Sequence, residues 1–164
     1  MDTNEDFTQL FNLHYPKVMR LCKGYFNGNE TLALDAAQEV FIKVWEKQTS
    51  FRNKASISTW IFRIAVNTCL MHLRKTATKR ELQMAEMPDI KQEEDNKDQD
   101  EKLRKMYACI QKLDEAGKMI ILLVLEAVAY PEIANIIGIT EDTLRVKIHR
   151  IKKNLTQCVL YENI

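Results

Sequence analysis

Apolar residues recur every three or four positions along most of the chain, the period of helices with one buried face. The first stripe is Phe7, Leu10, Phe11, His14, Val18, Leu21, Cys22 and Tyr25. Pro16 interrupts it and predicts a break, with a second helix starting there. Asn27-Gly28-Asn29 supplies a turn. The next stripe, Leu34, Ala37, Val40, Phe41, Val44 and Trp45, predicts a helix whose outer side carries Asp35, Gln38, Glu39, Ile42 and Glu46. That outer face is acidic with one apolar residue in its middle. Residues 48–58 (QTSFRNKASIS) have no helical stripe and read as a loop, with Ser56 or Ser58 placed to cap the next helix. A helix from Thr59 to about Lys75 turns Trp60, Ile61, Ile64, Ala65, Thr68 and Met71 inward, and Arg63, Asn67, Leu70 and Arg74 outward. Helical spacing assigns both Trp45 and Trp60 to the core.

Residues 76–102 lose the period, contain Pro88 and are densely charged, so they read as a linker that cannot bury enough apolar surface to order itself. About 25 flexible residues span roughly 25–30 Å on average. The pattern resumes at Leu103, Met106, Tyr107, Ile110 and Leu113, and a further helix is predicted over Lys118 to Ala129. Two pieces come next, YPEIANIIG and ITEDTLRVKIHRIKKNL. Gly138 is placed to end the first, and Thr140 to cap the second. A short helix, a glycine turn and a longer basic helix describe a helix-turn-helix. On the last helix Leu144, Ile148, Ile151 and Leu155 form the inward stripe. Thr143, Arg145, Lys147, His149, Arg150, Lys152 and Lys153 lie outside it, a composition suited to a groove lined by phosphates. No stretch alternates as a strand does. The fold class is therefore all-α: two small helical domains joined by a flexible acidic linker, the second a helix-turn-helix.

Composition sharpens this picture. The 164 residues include only four Gly and three Pro, too few for a turn-rich β fold, and the glycines lie too far apart to build a phosphate loop. The net charge of +1 is the balance of +3 over residues 1–75, −4 over 76–102 and +2 over 103–164. Cys22, Cys69, Cys109 and Cys158 show no CxxC spacing, so they are expected as buried free thiols of a reducing cytoplasm rather than a disulfide framework or a zinc site. The N-terminus does not read as a signal peptide, and the most apolar run, Met119 to Tyr130, is too short for a membrane span. His14, His72 and His149 are isolated, and no nucleophile or metal constellation is visible, so no enzyme, metal or cofactor is expected. Aromatics Trp45, Phe51, Trp60 and Phe62 cluster around the 48–58 loop with Arg52, Lys54, Arg63, Arg74 and Lys75 among them. That mixture is used to hold single-stranded nucleic acid. Asn67, mid-helix in an apolar stretch, either bridges a neighbouring helix or reads a base edge. A stand-alone helix-turn-helix regulator with a sensor or dimerisation bundle is the rival reading, and the weak charge of each block speaks against it.

Three segments in order carry a resemblance to a known family: LDAAQEVFIKVW (34–45), STWIFRIAVNTCLMHLRK (58–75) and AYPEIANIIGITEDTLRVKIHRIKKNL (129–155). The chain resembles the extracytoplasmic-function (ECF) sigma factors, two-domain initiation subunits of bacterial RNA polymerase. Residues 1–75 are similar to sigma region two, 76–102 to the linker, and 103–164 to sigma region four. The resemblance implies that Asp35, Gln38, Glu39 and Ile42 bind core RNA polymerase. It implies that Phe51, Arg52, Asn53 and Lys54, in a loop that captures a flipped base, serve the promoter −10 element with Arg63, Asn67 and Arg74. Thr143, Arg145, Lys147, His149, Arg150 and Lys153 would serve the −35 element. It further implies a cytoplasmic, non-enzymatic initiation factor with promoter DNA and core polymerase as partners, no small-molecule substrate, and an inhibitory anti-sigma factor of a kind often anchored at a membrane. Asp114 after Leu113, Pro131 and Val146 depart from the family's usual residues.

Overall fold

The computed structural model describes residues 3–51, 56–77 and 97–161. Its regular elements are helices: α1 (Thr3–Tyr25), α2 (Glu30–Lys47), α3 (Ile57–Ala77), α4 (Lys97–Gln111), α5 (Glu115–Leu125), α6 (Tyr130–Ile137) and α7 (Glu141–Tyr161), with a 3₁₀ turn at Gln48–Ser50. They fall into two compact units, Met1–Glu86 and Met87–Ile164.

In the first unit α1, α2 and α3 pack on one another in all three pairings. Pro16 lies inside α1, which runs unbroken, so the expected second helix does not exist. A mid-helix proline costs about 3 kcal/mol. Here Pro16 and Asn12, whose carbonyl loses its partner, are both exposed, so water can serve that carbonyl. The buried residues to either side, His14, Val18, Leu21 and Cys22, keep the helix on one axis. Asn27 (φ 56°) and Gly28 (φ 78°) adopt left-handed backbone and reverse the chain. The Asn29 side chain then accepts from the Leu32 amide at 3.1 Å, capping α2.

The buried face of α2 is Ala33, Ala36, Ala37, Val40, Phe41 and Val44. Leu34 (42% exposed) and Trp45 (44% exposed) are not core, contrary to the expected stripe. Met71, expected inward on α3, is exposed too, and Trp60 is half-buried. The three alanines let α2 approach its neighbours closely, and this rotates the buried face away from the larger side chains beside it. Helix α3 begins two residues earlier than its stripe predicts. The Ser56 hydroxyl, 3.1 Å from the Thr59 amide, is the cap.

In the second unit α7 packs on α4, α5 and α6. Helix α4 starts at Lys97, six residues before the apolar pattern resumes, so the end of the expected linker is helical. Asp100 and Glu101 in its first turns suit the positive end of the helix dipole. Asp114 caps α5 through the Gly117 amide at 2.7 Å, and α5 ends at Leu125 rather than at Ala129. The exit turn puts Ala127 in left-handed backbone (φ 59°), a conformation that propensity would not assign to alanine.

The cysteines correct the sequence expectation. Cys109 on α4 and Cys158 on α7 are disulfide-bonded, with Cα atoms 5.9 Å apart. Cys22 and Cys69 are buried free thiols whose sulfurs lie 3.7 Å apart across α1 and α3. The hydrogen bond with Cys22, and then burial, push the Cys69 thiol well above its ordinary pKa, so it is inert as a nucleophile. Local spacing is blind to a pair 49 residues apart that becomes adjacent only when α4 packs on α7. On loop-closure grounds, reducing this bond lowers stability by about 4 kcal/mol. Urea unfolding of the oxidised chain, with and without dithiothreitol, measures it; superimposable curves would show that the bond contributes nothing.

His14 is 4% exposed, and neither ring nitrogen has a hydrogen-bond partner among the described residues. Burial, and secondarily the charge of Lys17, hold its pKa below the ordinary 6.5. The unfolded chain therefore takes up the proton first. Stability is full above about pH 6.5 and is lost as pH falls below it. His14→Leu is expected to raise stability by about 1–2 kcal/mol at pH 5.5 and to flatten the profile between pH 5.5 and 7.5. An unchanged slope by chemical denaturation would contradict this.

Candidate polymerase and nucleic-acid interfaces

The outer side of α2 carries Asp35, Gln38 and Ile42 exposed in a row, Ile42 at 57%. Glu39, the fourth residue expected there, is half-buried and bound inward. Its Oε2 lies 2.5 Å from His72 Nε2 on α3, and its Oε1 3.4 Å from Lys43 Nζ. Lys43 in turn donates to the Thr68 hydroxyl at 3.2 Å. Partial burial works to raise the Glu39 pKa, but the bonds from His72 and Lys43 outweigh it and hold the carboxyl below its usual value. Glu39 thus ties α2 to α3 while presenting only an edge to solvent. No spacing rule pairs residues 39 and 72; the tie comes from packing α3 on α2.

Beside this face lies a groove of about 510 Å³ that the periodicity did not reveal. Its lining includes Phe7, Phe11 and Tyr15 from α1, and Phe41, Ile42 and Trp45 from α2. The Phe7 ring meets Trp45 edge-on at 5.0 Å, and Phe11 meets Phe41 at 4.9 Å. The signal was present as aromatics spaced four apart on α1. Phe7 and Phe11 fall in the inward stripe and Tyr15 outside it, because period alone cannot separate a buried face from its half-open margin. Ile42, Gln38 and Glu46 belong to the groove's lining, so the groove and the acidic face are continuous.

On α3, Trp60 is half-buried and packs against Phe51 with ring centroids 5.2 Å apart. Asn67 is exposed and Arg63 half-exposed, one turn from each other on the same side. Exposure of Asn67 removes the helix-bridging alternative. Arg52, Asn53 and Lys54 lie outside the described residues, and so does the side chain of Arg74, whose backbone ends in α3. The structure brings together Phe51, Trp60, Arg63 and Asn67 as an aromatic pair heading a polar stripe.

The helix-turn-helix forms as its signals predict. Pro131 sits in the first turn of α6, and Gly138 closes that helix at φ 86° with its amide 2.8 Å from the Ala134 carbonyl. Open space around Gly138 shows that the positive φ, not crowding, requires glycine there. Thr140 caps α7 through the Thr143 amide at 3.2 Å. Leu144, Ile148 and Ile151 are buried and Leu155 half-buried. Thr143, Arg145, His149, Arg150 and Lys153 are exposed, while Lys147 is half-buried. Arg145 donates to Glu141 at 2.8 Å and lies over the Tyr130 ring. Among the described residues no group of three His, Cys, Asp or Glu side chains could hold a metal, and no described helix is long and apolar enough to cross a membrane.

The fold and these faces define a helix-turn-helix protein carrying a second, three-helix unit with an acidic and aromatic surface. Two family models match it in sequence order: Sigma-70 region 2 over residues 10–79, and Sigma-70 region 4 over residues 103–155. An ECF RNA polymerase sigma-E factor of Haemophilus influenzae is 30% identical over 160 residues, 90% of this chain and 84% of that protein. An ECF RNA polymerase sigma factor, SigM, of Mycobacterium tuberculosis is 26% identical over 96% of this chain and 79% of its own length. In fold, the chain is similar to the sigma factor RpoE of Bartonella quintana, solved with the anti-sigma factor NepR. The TM-score is 0.75 at 20% identity, covering 97% of this chain and 99% of that one. The chain belongs to the ECF RNA polymerase sigma factors, the family that directs transcription initiation.

The inward tie of Glu39 separates two effects of mutation. Glu39→Lys removes the carboxylate that His72 and Lys43 bind and sets a second ammonium beside Lys43, and should destabilise the first unit by about 1–2 kcal/mol. Asp35→Lys changes charge on an exposed position and should leave the unfolding midpoint within about 0.5 kcal/mol of the parent. Thermal or urea unfolding of both variants checks this; equal midpoints would mean that the Glu39–His72 tie carries no stability.

Proposed function

We propose that this chain binds core RNA polymerase through the α1–α2 surface, engages the promoter −10 element with α3 and the loop before it, and reads the −35 element with α7. Asp35, Gln38 and Ile42 offer polymerase an acidic face with an apolar centre, and the adjoining aromatic groove extends the apolar part. Glu39 contributes through the edge it keeps exposed. Phe51 and Trp60 supply ring surface on which an unpaired base can stack. Arg63 and Asn67 lie alongside, with Arg52, Asn53, Lys54 and Arg74 as further −10 contacts. Bases held this way stabilise only the melted duplex, which is how binding favours opening.

The observation that carries the −35 reading is the sorting of α7. Its apolar stripe is buried against α4–α6, leaving Thr143, Arg145, His149, Arg150 and Lys153 on the opposite side behind a glycine-closed turn. Lys147, half-buried, would reach a phosphate with its long stem. Arg145 is the residue best suited to a bidentate contact with guanine. The protein acts by binding rather than by catalysis, in the cytoplasm where polymerase works, and takes no small-molecule substrate. The first domain runs to the end of α3 and the second begins with α4, so the spacer between them is shorter than the 76–102 expected from sequence. The Bartonella relative's complex with an anti-sigma factor supports an inhibitory partner of that class here.

Purified protein should co-elute with core RNA polymerase on size exclusion and bind promoter DNA tightly only in that complex. Tight DNA binding alone, with no co-elution, would make it a stand-alone regulator. In the complex, Arg145→Ala should cost about 1–3 kcal/mol at promoters with the matching −35 base and little elsewhere. Uniform loss across promoters would remove Arg145 as a base reader.

A further inference from the structure

Arg145 is held from two sides. Its Nη2 donates to Glu141 Oε1 at 2.8 Å, one turn back on α7, and its guanidinium carbon lies 5.4 Å from the centre of the Tyr130 ring. Tyr130 is the first residue of α6, so the contact spans the turn of the helix-turn-helix. The Arg145 side chain is still 59% exposed. The two contacts use different parts of the group. The ring offers its face to the cation, and the carboxylate takes an N–H at the edge of the fork. One bond to Glu141 leaves other in-plane donors of the fork for a second acceptor. A long side chain that must be ordered on binding loses rotamer freedom, and a preordered one avoids most of that loss.

We propose that Tyr130 and Glu141 are positioning residues for Arg145, holding its fork in the plane and direction from which it reads a guanine edge in the −35 major groove. The proposal rests on the assignment of Arg145 as a −35 reader. Tyr130 touches no base; it acts through Arg145. The ring fixes where the guanidinium lies while the bond to Glu141 restricts the direction of its fork. The pair therefore sharpens the distinction between bases more than it raises total affinity. A phosphate contact would gain little from such a fixed plane, because a backbone phosphate accepts from many angles.

The test uses the full-length chain assembled with core RNA polymerase and a promoter library randomised across the −35 element. The holoenzyme selects the library, and base preferences are read by sequencing. Arg145→Ala identifies the position that Arg145 reads, as the one whose guanine preference disappears. Tyr130→Leu is expected to reduce the preference at that same position about three-fold. Tyr130→Phe, which keeps the ring, is expected to retain it. Glu141→Gln should give an intermediate loss at the same position. In an Arg145→Ala background, Tyr130→Leu should have no further effect on preference, since nothing is left to position. If Tyr130→Leu weakens all sequences alike, or costs as much with Arg145 absent, Tyr130 serves only the packing of the unit and the proposal is overturned. If Arg145→Ala erases no preference, the assignment of Arg145 fails and the proposal falls with it. Holoenzyme assembly, measured by co-elution, and the unfolding midpoint of each variant show separately whether a variant has failed to fold.

Discussion

On α7 the exposed basic face is the back of a buried stripe, and that stripe is the contact on which the presentation of the basic side chains depends. Leu144, Ile148 and Ile151 are anchored against the rest of the second unit. Burial of each such side chain contributes about 1.5–3 kcal/mol, so rolling α7 by even one residue would forfeit several of those contributions at once. The rotation of the helix is therefore fixed by its apolar side, and Arg145, His149, Arg150 and Lys153 are presented as a consequence. Gly138 and Thr140 set where the helix begins; the stripe sets which way it faces.

The first unit obeys the same rule with a different balance. Three alanines on α2 allow close helix approach, and the larger residues next to them, Leu34, Ile42 and Trp45, remain partly in water. Monomeric domains seldom leave aromatic and aliphatic groups exposed side by side without a use for them. Here they border acidic and amide side chains along one helix, giving a surface that is apolar enough to bind and charged enough to select. The Glu39–His72–Lys43 cluster adds rigidity at the α2–α3 junction, so the acidic face of α2 and the polar stripe of α3 are held by one framework.

Where pattern and structure part company, the causes are specific. Pro16 stays within α1 because its position is solvent-facing and the residues on either side share one buried face, so tertiary packing outweighs a local penalty. Helix α5 stops at Leu125, short of its apolar run, because Ala127 takes a left-handed turn that its residue type does not announce. Cys109 and Cys158 bond across 49 residues, a pairing that no local spacing encodes. Phe7 and Phe11 read as core and prove, with Tyr15, to be the wall of a groove. Each case turns on a neighbour distant in sequence.

The sequence by itself determined the helical class, the order of the elements, the caps at Ser56 and Thr140, and the basic side of α7. Caps and periodicity are local, since a side chain meets its own backbone or its neighbour one turn away. The sequence also held the three motifs that place the chain in its family. Tertiary structure alone decided that Glu39 faces inward, that Trp45 stands half-exposed at a groove, and that Tyr130 lies against Arg145. Those outcomes depend on how far one helix rolls against another, and that is settled by the summed packing of many side chains rather than by any residue's own preference.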